Sequence, residues 1–98
     1  RIIVPPVIDP GHVYHLFVVR SRERERFQEH LATAGIETLI HYPIAIPRQP
    51  ALASQNPAEC PVANEACEQV VSLPLHHRLS DADAECVIAA VNTFENGK

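Results

Sequence analysis

"HLFVVRSRERERFQEHLATAGIETLIHYP", residues 15–43, carries both periodicities from which a fold is read, one after the other. It opens inside a longer run, 12–20, that is rich in Val, Tyr and Phe and bounded by Pro10-Gly11 and Ser21, which predicts a strand. The near-continuous apolar stretch from Leu16 to Val19 predicts burial on both faces. At Ser21 the period changes. Phe27, Leu31 and Ala34 stand four and three apart, making one apolar helical stripe, with Ser21 as the expected N-cap and Gly35 where a left-handed C′ residue belongs. The alternating charges of 22–26 resemble a binding patch until they are wound on a helix. There Arg22 meets Glu25, Glu23 meets Arg26 and Arg26 meets Glu29, so a solvated face is expected. Ile36–Ile40 then predicts a second short strand, which runs into His41-Tyr42-Pro43 and a loop with Pro43, Pro47 and Pro50 inside eight residues.

Outward from this unit the remaining elements are short. Residues 1–10 hold three prolines and read as a connector, with a strand remnant at Ile2-Ile3-Val4. Residues 43–57 form a loop with at most a helical turn around Ala51–Ala53. A second helix begins near Pro61, whose fixed φ suits a first helical position, with Val62, Ala66 and Val70 at spacing four. Val71–Leu75 reads as a third strand, interrupted by Pro74. The last helix is announced by Ser80 as N-cap and by Asp81 and Asp83 in its first turn, with Val87, Ile88, Val91 and Phe94 as its buried stripe. The order β-α-β-loop-α-β-α predicts an α+β fold: a small three-stranded sheet with helices packed mostly on one face.

Composition narrows the function classes. Ninety-eight residues make one domain, and 46% hydrophobic with 20% charged residues is ordinary globular composition. A net charge of −4 without clustered Lys and Arg argues against nucleic acid, and no apolar run approaches the ~18 residues of a membrane span. Cys60, Cys67 and Cys86 are odd in number and lack CxxC spacing, so reduced thiols in a cytoplasmic protein are expected and no metal site. The doublet His76-His77 reads as a polar loop. No GxSxG elbow occurs, nothing near the cysteines predicts an activated thiolate, and the acids lie at helix starts and on solvated faces. No residue is assigned a catalytic role. Met is absent and Arg1 stands first, so a piece of a longer protein is expected.

His41 and Tyr42 remain. On composition they either simply terminate a strand or are held by the proline-stiffened loop towards a cleft formed with something else. Resemblance favours the second. "HVYHLFVVR", "FQEHLATAGIETLIHYPIAIPRQPA" and "CPVANEACEQVVSLPLHHRLSDADAECVIAAVNTF", in that order and over roughly residues 10 to 94, resemble the C-terminal small domain of the DegT/DnrJ/EryC1/StrS family of nucleotide-sugar aminotransferases.

That resemblance implies a pyridoxal-phosphate (PLP) enzyme of the aspartate-aminotransferase fold, moving an amino group from glutamate onto a nucleoside-diphosphate keto-sugar. It implies a connector at 1–10 from a missing N-terminal large domain, a small domain at 11–95 and a tail at 96–98. The implied partners are that large domain, the second subunit of a homodimer and the nucleotide-sugar substrate. His41, Tyr42 and Pro43 would border the substrate, the first two by hydrogen bonds and the third by fixing the turn. The PLP would belong to the parent enzyme and not to this chain alone, because the one lysine, Lys98, lies in a polar tail and no glycine-rich phosphate loop exists. Two positions depart from the family's usual "HYPxPxHxQP": Ala45 replaces the second proline and Pro47 the histidine. They leave open a different sugar preference. They also leave open a free-standing interaction or regulatory module, or a mobile gene fragment that kept the fold without catalysis. The isolated chain is expected to self-associate.

Overall fold

The computed structural model describes residues 1–97. Lys98, the last residue of the expected tail 96–98, lies outside the described residues. Three strands, β1 (Ile2–Ile3), β2 (Phe17–Ser21) and β3 (Val70–Leu73), form one sheet in the order β1-β2-β3, antiparallel throughout. Three α-helices accompany it: α1 (Arg24–Thr33), α2 (Pro61–Gln69) and α3 (Asp81–Asn96). The proline-rich loop contains two short 3-10 turns, Ile46–Arg48 and Pro50–Gln55.

Alternation along β2 and β3 divides the sheet into two faces. Val19 lies opposite Val71 and Phe17 opposite Leu73, and these four join the core with Phe27 and Leu31 of α1 and Ala90 and Phe94 of α3. Val18 opposite Ser72 and Arg20 opposite Val70 therefore occupy the other face. The α+β arrangement is as expected, with α1 and α3 on one face. On the second face Arg20 Nε donates to Gln69 Oε1 of α2 at 3.1 Å. Val18 is only half-buried, so the strand's apolar run is not covered equally on both sides.

The third strand is not the one the sequence suggests. Ile36–Ile40 contributes a single bridge, Leu39 to Ser72, while Ile2–Ile3 pairs with β2. The cause lies at the end of α1. Gly35 takes φ +78°, its N–H donates to Ala32 O and the Ile36 N–H donates to Leu31 O, both at 2.9 Å. This is a Schellman motif, with Ile36 packed beside Leu31 in the core as its hydrophobic contact. Ile36 thus closes a helix instead of opening a strand.

Other boundaries shift for local reasons. Residues 12–16 stay out of the sheet because side chains bond the backbone there: Gly11 N–H to Asp9 Oδ1 and Tyr14 N–H to His12 Nδ1, both at 2.8 Å, with Tyr14 at φ 48°. Ser21 is a buried strand residue whose Oγ accepts from the Glu23 N–H, and α1 starts three residues later than the expected cap. Ala34, Val62 and Ile88, expected on buried stripes, are exposed. On α2 the buried residues are Asn64 and Gln69. Ser80 does cap α3, its Oγ accepting from the Asp83 N–H at 3.0 Å.

Candidate functional site

The bridge at Leu39 decides where the next residues go. Leu39 and Ser72 exchange both backbone hydrogen bonds, at 2.7 and 3.3 Å, tying the incoming chain to the free edge of β3. Two residues on, His41 Nδ1 lies 2.7 Å from Ser72 Oγ. Ser72 shares Val18's face of the sheet, away from α1 and α3. The His41 ring is half-buried, whereas Tyr42 is 69% exposed. Their peptide bond is cis, and the two rings stand edge to face with centroids 5.4 Å apart.

Pro43 follows, exposed, and the loop beyond it is held by its own bonds. Arg48 N–H donates to Ala45 O at 2.9 Å, and Gln49 Nε2 donates to Ile44 O at 3.1 Å. Ala45 itself is buried. Where the resemblance leads one to expect a proline, a small side chain therefore fills a covered position. Pro47 sits inside the first 3-10 turn.

His41 opens onto a groove of about 730 Å³ that runs along the edge of β3, with Leu16, Leu39 and Leu75 as apolar wall and His76, Asp83 and Cys86 as polar rim. Neither His41 Nε2 nor the Tyr42 hydroxyl makes a hydrogen bond among the described residues. The structure thus sets the Tyr42 ring against that of His41, and of the two it is His41 that lines the groove. Pro43 joins them in sequence but offers no polar group. Chemically this arrangement can bind and orient an oxygen-rich ligand. Ser72, set aside on sequence with the other serines as a cap, loop or strand-end residue, turns out to hold His41. Its signal was a lone hydroxyl between Val71 and Leu73, in a strand where every neighbour is apolar.

The remaining candidates are structural. Cys60 and Cys67 are half-buried free thiols, and Cys86 is free and exposed. His76 Nδ1 accepts from the Arg78 N–H, closing a turn in the expected polar loop. Among the described residues no group of three or more His, Cys, Asp or Glu side chains converges as a metal site would require. No helix there is long and apolar enough to cross a membrane.

The architecture is first that of a segment of the sugar aminotransferases. Over 95% of its length the chain superposes on S. venezuelae DesV, solved in complex with a ketimine intermediate, with a TM-score of 0.87 and 38% identity, covering 26% of that chain. The family model of the DegT/DnrJ/EryC1/StrS aminotransferases matches residues 2–92, and the chain belongs to that family. It is 44% identical over 86 residues to a dTDP-3-amino-3,6-dideoxy-alpha-D-galactopyranose transaminase of Aneurinibacillus thermoaerophilus, covering 88% of this chain and 24% of the relative. It is 42% identical over 79 residues to a UDP-2-acetamido-2-deoxy-3-oxo-D-glucuronate aminotransferase of Pseudomonas aeruginosa, covering 81% and 22% respectively. The chain spans about a quarter of the length of these relatives.

Aminotransferases of this family are generally PLP-dependent. The described residues do not fit that group. No lysine is among them. A phosphate favours a helix N-terminus free of negative charge. Here α1 has Glu23 as its N-cap and Glu25 in its first turn, α2 begins with Pro61, which has no N–H, and α3 carries Asp81 and Asp83.

Proposed function

We propose that this chain is the C-terminal small domain of a cytoplasmic nucleotide-sugar aminotransferase that transfers an amino group from glutamate to a nucleoside-diphosphate keto-sugar. Residues 1–10 would connect it to an N-terminal large domain, 11–95 would be the small domain and 96–98 its tail. The large domain, with the partner subunit of a homodimer, would supply PLP and the lysine that carries it. On its own the chain would bind no PLP and catalyse nothing. Its contribution is one wall of the substrate cleft, in which His41 and Tyr42 hydrogen-bond the sugar nucleotide and Pro43 fixes the turn between them and the loop.

The observation that carries this reading is the His41 ring, which lines an open groove with Nε2 unbonded to the described residues and has the exposed Tyr42 ring edge to face against it. Neither residue is buried, so both groups are hydrated in the free chain and a ligand oxygen would take the place of that water. The relatives' substrates, as their names give them, are dTDP- and UDP-linked sugars, whose phosphates and hydroxyls are the acceptors and donors such a pair would meet.

Steady-state kinetics of the intact enzyme with a dTDP- or UDP-linked keto-sugar test it. His41→Ala and Tyr42→Phe should each lower kcat/KM by the equivalent of about 1–3 kcal/mol, the cost of leaving a bound polar group unpaired. Wild-type values for both variants would remove the pair from the cleft.

A further inference from the structure

We propose that Ser72 is a positioning residue for His41: its buried hydroxyl donates to Nδ1, fixing the imidazole in the tautomer that carries its proton on Nε2. The functional consequence rests on His41 lining the substrate cleft as proposed above. The tautomer itself does not.

Three contacts join Ser72 to the segment that ends in His41. Its N–H donates to Leu39 O, its C=O accepts from the Leu39 N–H, and its Oγ lies 2.7 Å from His41 Nδ1. The two backbone bonds fix where the chain leaves the sheet, and the third fixes the ring. Ser72 is 5% exposed, and its Oγ has no other partner among the described residues. That decides the direction of the bond. A buried hydroxyl hydrogen without an acceptor loses more than a typical hydrogen bond returns, whereas an unused lone pair on the same oxygen loses little. Nδ1 is the acceptor within reach, so the hydroxyl donates. A neutral ring that accepts at Nδ1 holds its proton on Nε2.

Nε2 is the atom that faces outward without a partner. It is therefore a donor when the ring is neutral, and it is a donor again when the ring is charged and both nitrogens carry protons. The ligand chemistry that fits is an acceptor oxygen: a phosphate, a carboxylate or a sugar hydroxyl. A metal cation does not fit, because it would need a lone pair at that nitrogen. Ser72 thus selects the class of atom that His41 can bind without touching the ligand itself.

Long-range proton–nitrogen NMR on the full chain labelled at histidine tests this, with His41→Ala assigning the signal among the six histidines. At a pH where the ring is neutral, His41 should show a single tautomer, Nδ1 unprotonated and Nε2 protonated. Ser72→Ala should reduce that preference by about threefold to tenfold, the worth of one such hydrogen bond, and Ser72→Thr should restore it. A wild-type ring protonated on Nδ1 overturns the proposal. So does a Ser72→Ala spectrum that is folded and unchanged at His41. Should Ser72→Ala not fold, the wild-type tautomer and the Ser72→Thr spectrum still decide. In the intact enzyme, Ser72→Ala should raise KM for the sugar nucleotide by a similar factor. If His41→Ala leaves KM untouched while the tautomer is as stated, the substrate-cleft reading fails and the Ser72–His41 relationship stands.

Discussion

Phe27 of α1 and Phe94 of α3 meet edge to face, with ring centroids 5.1 Å apart and interplanar angle 62°. Phe27 is wholly buried. Their contact joins the first long helix to the last and closes the core over Val19 and Val71. His30 and the Arg26 guanidinium also lie against the Phe94 ring, with the His30 ring centroid 5.4 Å and the Arg26 guanidinium carbon 6.0 Å from its centroid. Phe27→Ala should therefore cost about 3–5 kcal/mol, a large part of the ~5–15 kcal/mol available to a domain of this kind. Phe27→Leu should cost less than about 1.5 kcal/mol. Urea unfolding measures both, and a loss below about 1 kcal/mol for Phe27→Ala would show that the core is centred elsewhere.

Gly35 isolates a purely conformational cost. A Cβ built at this position would meet nothing within 4 Å, so no clash opposes alanine there. Its φ of +78° does, because an L-residue in that region loses about 1–2 kcal/mol. Gly35→Ala should lower the unfolding free energy by that amount at unchanged denaturant slope, and Gly35→Asn by less. The Schellman bonds that place Ile36, and through it Leu39 and His41, depend on this turn. Equal stability of Gly35→Ala and the wild type would mean that the turn is not left-handed in solution.

Where several levels of the sequence agree, the fold was legible. For α3, Ser80, the two aspartates and the run Val87, Val91 and Phe94 all say the same thing, and the helix begins where they place it. Ile88 was misplaced because a stripe of that width does not say which of its edges the neighbouring helix α1 covers. The strand assigned to Ile36–Ile40 failed for a different reason. β-branched composition and proximity to a turn are local properties, but Ile36 is held by Leu31 in the helix before it. In the site, His41 and Tyr42 were visible because they interrupt an apolar run just before a proline. Ser72 was not, because its meaning comes from a partner 31 residues away.

Arg24 separates one arginine from a row of similar ones. Wound on a helix from Ser21, the alternation of 22–26 predicts a uniformly solvated face, and one expected pair, Arg26 with Glu23, does form. Arg24 instead reaches across to α2 and β3, where its Nη1 donates to Cys67 O and, at 3.4 Å, to Val70 O. Those carbonyls belong to the helix-to-strand junction, where a charged donor bonded to the backbone contributes about 1.5–3 kcal/mol. Arg24→Ala should be destabilising by that order, whereas Arg22→Ala, on an exposed residue, should lie within about 0.5 kcal/mol of wild type. Thermal or urea unfolding of the two variants side by side distinguishes them, and equal effects would contradict the contact between Arg24 and the α2–β3 junction.

The stretch that carries His41 and Tyr42 also carries several exposed apolar side chains. Leu39, Tyr42 and Ile46 are 65, 69 and 74% exposed, and Ile44 lies among them. The hydrogen bonds of the loop hold the backbone that carries Ile44 and Ile46, so this stretch presents an exposed apolar ridge. Monomeric proteins seldom present such a surface unless something covers it, since each large side chain withdrawn from water contributes about 1.5–3 kcal/mol. For the chain by itself the available cover is a second copy. Sedimentation equilibrium should therefore show association that grows with protein concentration and weakens on cooling, as apolar burial does. Ile46→Asp should abolish it without changing the unfolding midpoint measured at low concentration, because Ile46 lies outside the core. A clean monomer across the whole concentration range would show that the ridge is too small or too well hydrated to drive contact, and the same ridge would then be a poor candidate for docking against a large domain.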